Sequence, residues 1–247
     1  MVEGVCKLCL TPKLLRRSHF LPAALYPKNR KLNLSTYQTI CRLDSKEKEI
    51  RDHLLCFDCE QAFDRNGESE VLQWVSPKGP FRLAQRLEVA TPRETIDHSL
   101  SRFSGEDIGV DMEKFAYFAI SVVWRGAVHD WKLPDGAVRP HDELGGFVEP
   151  MRLYLSGDSG LPPHTSVIVI AGSDDDSRRI WNMPQAHVEA NCLNFRFLTF
   201  GIAFRVMIGR HQPEFFRVHS CTSPRKCLFY GNMSHRMPEI INFSPAH

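Results

Sequence analysis

The clearest hydrophobic pattern in the chain is an alternation in its last quarter. Leu198, Phe200, Ile202, Phe204, Val206 and Ile208 alternate with Thr199, Gly201, Ala203, Arg205, Met207 and Gly209. A period of two sends successive side chains to opposite faces, so this stretch predicts a strand with one face on a core. Upstream, Val167-Ile168-Val169-Ile170-Ala171 is unbroken, apolar and β-branched, as in a strand buried on both faces. A different period governs the middle of the chain. After Asp111, which is placed to cap a helix, Met112, Phe115, Ala116, Ala119, Val122, Val123 and Gly126 recur at i, i+3, i+4 spacing. Tyr117, Phe118 and Trp124 occupy its other faces, which predicts a helix enclosed by a core. A weaker helical pattern covers 142–155, after a turn at Pro134-Asp135-Gly136. Residues 111–247 therefore read as an α+β domain.

The first 70 residues are patterned differently. Pro12, Pro22 and Pro27-Lys28-Asn29 punctuate short apolar clusters, as expected of short strands and loops. After Cys56 the pattern turns helical through Phe63, and Asn66-Gly67 reads as the stop. Between these regions, 71–110 contains Pro77, Gly79-Pro80 and Pro92, and it reads as a connector with one or two helical turns.

The 247 residues, 43% hydrophobic and 24% charged, suffice for one large or two modest cores. The longest apolar stretch, 115–124, is about half of what a membrane helix needs. The first residues lack the basic and apolar segments of a secretory signal, so a cytoplasmic protein with no membrane role is expected. Charge is uneven. Residues 1–43 hold eight Lys/Arg against one acid, a net +7, which leaves −5 for the other 204 residues of a chain whose total is +2. A basic head on a mildly acidic body fits a polyanion partner, nucleic acid before membrane, although a solvated basic surface has the same composition.

Four of the eight cysteines form two Cys-x-x-Cys pairs, Cys6/Cys9 and Cys56/Cys59, separated by 46 residues. Each pair supplies two thiolates from one tight turn, and two pairs complete the tetrahedral set that structural zinc prefers. Such an ion can provide much of the folding energy of a small, turn-rich unit. Cys41, Cys192, Cys221 and Cys227 follow no such spacing and read as ordinary thiols. His211 and His219 with Cys221 and Cys227 could be imagined as a second zinc set, but their spacing fits no common zinc motif. Asp174-Asp175-Asp176 reads as a solvated turn, and Trp124 with Trp131 reads as core rather than as a base-stacking surface.

Within the loop between the knuckles lies Ser18-His19-Phe20-Leu21-Pro22, and the second knuckle is extended as His53-Leu54-Leu55-Cys56-Phe57-Asp58-Cys59-Glu60. On these residues the first quarter of the chain resembles the zinc-bearing HNH endonucleases, the ββα-metal, treble-clef type. The resemblance implies a treble-clef-like zinc unit followed by a larger α+β domain. It implies His19 as general base and Glu60 in place of the family's last metal-binding His, with a catalytic Mg²⁺ or Mn²⁺ beside the structural zinc. Asp52 or His53 could assist Glu60, and Lys13, Arg16 and Arg17 would hold the phosphates of DNA or RNA. Ser18 stands where the family has a metal-binding Asp or His, and the family's Asn falls near Arg51. The resemblance also points toward bacterial defence against phage, with a protein partner or activator restraining the nuclease. The alternative is a non-catalytic zinc-stabilised binding module whose C-terminal domain carries a regulatory function.

Overall fold

The beginning of the chain builds a small antiparallel sheet and a helix: β1 (Val2–Val5), β2 (Pro12–His19), β3 (Arg51–Cys56) and α1 (Phe57–Phe63). This is a computed structural model, and it describes residues 2–26, 49–75, 79–97, 99–133, 136–139, 141–175, 177–179 and 181–233. Cys41 and the basic residues Lys28, Arg30, Lys31 and Arg42 lie outside the described residues. The helix does not stop at Asn66-Gly67. It continues through a π-helical turn (Asp64–Glu68) into α2 (Ser69–Trp74). Gly67 serves contact rather than termination, because a Cβ there would lie 2.9 Å from the backbone nitrogen of Phe118.

Next come α3 (Arg82–Val89), β4 (Glu94–Asp97), β5 (Leu100–Ser104), α4 (Gly105–Ile108) and α5 (Met112–Val128). A two-residue ribbon, β6 (Trp131–Lys132) and β7 (Val138–Arg139), leads to α6 (Val148–Ser156). The last part holds β8 (Thr165–Gly172), β9 (Gln185–Glu189), β10 (Cys192–Thr199), β11 (Ile202–Ile208), α7 (Glu214–His219) and β12 (Cys227–Gly231). Seven strands form one mixed sheet in the order β4-β5-β12-β8-β11-β10-β9, antiparallel except for the β12–β8 pair. The fold is thus α+β, with a cysteine-bearing N-terminal part and a larger region built on this sheet.

Two expectations change here. The segment read as a connector, 71–110, contributes β4 and β5 to the large sheet, so it does more than connect. The alternation 198–209 is not one strand: it spans a hairpin whose two-residue turn is Phe200-Gly201, at φ 42° and 97°. Thr199 and Ile202 close that turn, and Gly201 supplies the positive φ it needs. The turn exchanges the odd and even faces: Phe197 pairs with Phe204 and Leu198 with Ala203, so Leu198 points to the face opposite Ile202 and Phe204, and the alternation in the sequence spans two strands without marking one face.

The predicted helix and buried strand match closely. Asp111 caps α5, its carboxylate accepting the amides of Glu113 and Lys114 at 3.1 and 3.2 Å. Fourteen of the 17 residues of α5 are buried, because the helix is enclosed on two sides. On one side Phe118 meets Phe197 and Phe204 of the sheet, which stack on each other at 4.9 Å. On the other, Phe63 of α1 packs edge-on against Tyr117 and Trp124. One hydrophobic cluster consequently runs from Cys6 and Phe20 through α5 to Phe204 and Leu228. Strand β8 sits at the sheet centre, between β11 and β12, and is buried along nearly all its length.

Candidate zinc centre and adjoining cleft

The first knuckle closes between β1 and β2. The Cys6 amide donates to Thr11 O (3.1 Å), the Leu10 amide donates back to Cys6 O (2.9 Å), and Leu10 adopts φ 57° to make the turn. The second knuckle is the junction of β3 with α1: Cys56 ends the strand and Cys59 lies in the first helical turn. The Lys7 amide donates to Leu54 O at 3.1 Å and locks one knuckle against the other. The four Sγ atoms lie within 4.8 Å of one another, and Cys9 and Cys56 are 4.0 Å apart. A tetrahedral zinc with Zn–S bonds of about 2.3 Å requires S–S separations near 3.8 Å, so the set fits zinc in geometry and in ligand type. The Cys6 thiol is drawn down to about 4, chiefly by the Cys59 thiol, against the opposing effect of burial. The Cys56 amide also donates to its sulfur at 3.3 Å. Among the described residues this is the group of three or more His, Cys, Asp or Glu close enough to hold a metal ion.

His19 ends β2, one strand from the second knuckle. Its Nε2 lies 3.2 Å from Glu49, which also accepts from Arg51 at 3.3 Å. With Glu49 accepting a hydrogen bond from Nε2–H, the lone pair of the neutral ring lies on Nδ1. Glu60 lies on α1, one position after Cys59. The two residues line one open cleft of about 530 Å³, together with Arg16, Arg17, Phe57, Gln61, Asp64 and Glu68. Glu60 Oε1 is shielded from water and has no hydrogen-bond partner.

The other candidate residues separate. Lys13 is paired with Asp58 at 2.8 Å and does not line the cleft. Ser18 is fully buried, and its Oγ accepts the Leu55 amide at 3.0 Å, clipping β2 to β3. Its hydroxyl therefore serves the hairpin. Asp52 turns to His129 (3.0 Å) and to the His53 amide (2.8 Å). Neither Asp52 nor His53 lines the cleft, where Asp64 stands one helical turn beyond Glu60. Asp174 caps the Ser177 amide and accepts the Met233 amide, while Trp124 and Trp131 are fully buried.

Sequence reasoning missed Glu49, Asp64 and Glu68. Glu49 belongs to no motif and reaches His19 across 30 residues. Asp64 and Glu68 follow Glu60 at four-residue spacing, a signal that was available once α1 was known to continue. Among the described residues, no helix is long and apolar enough to cross a membrane. Compared with known protein families, curated proteins and solved structures, the chain matches none.

Proposed function

We propose that the chain is a divalent-metal-dependent nuclease of HNH type, working in the cleft beside its zinc centre. The observation that carries this reading is the meeting of His19 and Glu60 in one cleft, with Arg16 and Arg17 beside them. The order of elements agrees with it, since a hairpin that ends in His19 and a helix that opens on a zinc knuckle flank the cleft. In this reading Glu49 holds the Nε2 side of His19, and Nδ1 takes a proton from the attacking water. Arg16 and Arg17 hold phosphate oxygens of the backbone. The donor set suits a hard cation: Glu60 offers a carboxylate oxygen that no protein group uses, and the Asp64 carboxylate, whose Oδ1 accepts the Ser69 hydroxyl at 2.7 Å, lines the same cleft one turn along. When bound, Mg²⁺ or Mn²⁺ would supply stabilisation of the negative charge that develops on the phosphoryl oxygens.

The test is cleavage of plasmid DNA and structured RNA by zinc-loaded protein, with Mg²⁺, with Mn²⁺ and with neither. Metal-dependent cutting that His19→Ala abolishes, with zinc content unchanged, is the expected result. Absence of cutting by zinc-loaded wild type with either ion would sink it.

A second reading rests on Ser18. Its hydroxyl is consumed by the Leu55 amide where the resembled nucleases place a metal ligand, which favours a zinc-stabilised nucleic-acid-binding module without catalysis. In that case binding persists, no ion supports cutting, and the large sheet region carries a regulatory or partner-docking role.

A further inference from the structure

Packing does not account for Phe57. It opens α1 directly after Cys56, yet it is 50% exposed while the cysteines on either side are buried. The first position of a helix held by a metal knuckle places no demand for an aromatic ring, and burying half of one gains less than burying a whole one. The ring lines the same cleft as His19 and Glu60, and the Arg16 guanidinium lies over it at 5.4 Å from the centroid. Arg17 borders the cleft as well.

An exposed aromatic face beside guanidinium groups combines a sequence-tolerant surface for a base with charge for the neighbouring phosphate. Bases inside a duplex are already stacked on each other and reach a side chain only after extrusion, which breaks their stacking and pairing. We propose that Phe57, with Arg16 beside it, stacks an unpaired nucleobase, so that the cleft takes single-stranded nucleic acid in preference to duplex. The inference rests on the reading of the cleft as a nucleic-acid site.

The experiment measures binding of fluorescent oligothymidylate, oligouridylate, an abasic strand of equal length and a duplex. Full-length, zinc-loaded protein is used without added divalent ion. Phe57→Ala is expected to weaken both homopolymers by about 5- to 150-fold. It leaves the abasic strand unchanged, and Phe57→Trp restores binding. A stronger effect on one homopolymer identifies DNA or RNA as the strand the cleft favours. Should Phe57→Ala lose zinc, Phe57→Leu keeps apolar area without a flat ring and is expected to show the same loss. Equal weakening of the abasic strand, or unchanged homopolymer binding, overturns the stacking role. Wild type that binds abasic and base-bearing strands equally overturns it too, while leaving the cleft reading in place. Wild type that binds no strand overturns both.

Discussion

Arg125 in the last turn of α5 is ion-paired inside the protein with Glu68, the last residue of the π-helical turn. The arginine side chain is 1% exposed and the carboxylate 14%. The same guanidinium donates to Phe20 O at 3.1 Å and lies over the Phe63 ring at 4.7 Å. One side chain of the core helix thus holds the residue after His19, the end of α1 and the turn beyond it.

Removing Glu68 leaves the buried Arg125 guanidinium without an opposing charge. Glu68→Ala is expected to cost about 3–5 kcal/mol in urea denaturation, and Glu68→Leu with Arg125→Met is expected to cost less than Glu68→Ala alone. A loss below about 1 kcal/mol for Glu68→Ala would show that the pair contributes little to stability.

Gly67 brings the π-helical turn against the backbone of Phe118. Gly67→Ala should lower stability by about 1–3 kcal/mol, because the added carbon meets main-chain atoms that cannot rotate away. A neutral outcome would mean that the two helices separate at little cost.

Zinc should be inseparable from the stability of the core, since Cys6 and Cys56 belong to the same hydrophobic cluster as Phe204. Cys56→Ser is expected to abolish bound zinc in metal analysis and to lower the melting temperature of the whole protein. Retained stoichiometric zinc would remove the four-cysteine assignment.

Glu49 is expected to act as a positioning residue. Glu49→Gln should lower kcat for cleavage by about 10- to 100-fold with KM little changed, while zinc and folding persist. An effect confined to KM would point instead to substrate contact.

Asp52 sets an acid limit on stability. Burial raises its carboxyl, but the His53 amide and His129 outweigh that and hold it below its ordinary value. Its stabilisation is therefore present above about pH 4 and is lost as pH falls through the lowered value. Asp52→Asn should be less stable than wild type at pH 7, with the gap narrowing as pH falls below about 4, as compared by denaturant midpoints. A gap that stays constant with pH would exclude this linkage.

The four-cysteine cluster, the Asp111 cap and the central strand were legible in the sequence because each depends on local spacing. Four thiols at knuckle spacing, a carboxylate before an apolar period and an unbroken β-branched run carry their meaning within a few residues. What escaped depends on distant partners. Glu49 reaches His19 across 30 residues, and Glu68 reaches Arg125 across 57. Strands β4 and β5 are short and polar, and they are recruited only because β12 returns to pair with β5. Asn66-Gly67 carried the composition of a stop, but the close approach of Phe118 gave the glycine a different use.

The placement of β12 also bears on biosynthesis. It joins β5 on one side and β8 on the other, so the strand described last in the chain is the bridge between two parts of the sheet. Arg102 and Cys227, in contact across that seam, are 125 residues apart. Until Cys227–Gly231 emerges from the ribosome, β5 and β8 both present unpaired edges, which are open to wrong partners. The sheet is therefore completed only once Cys227–Gly231 is available, and a nascent chain that stalls before Cys227 leaves both of those edges open.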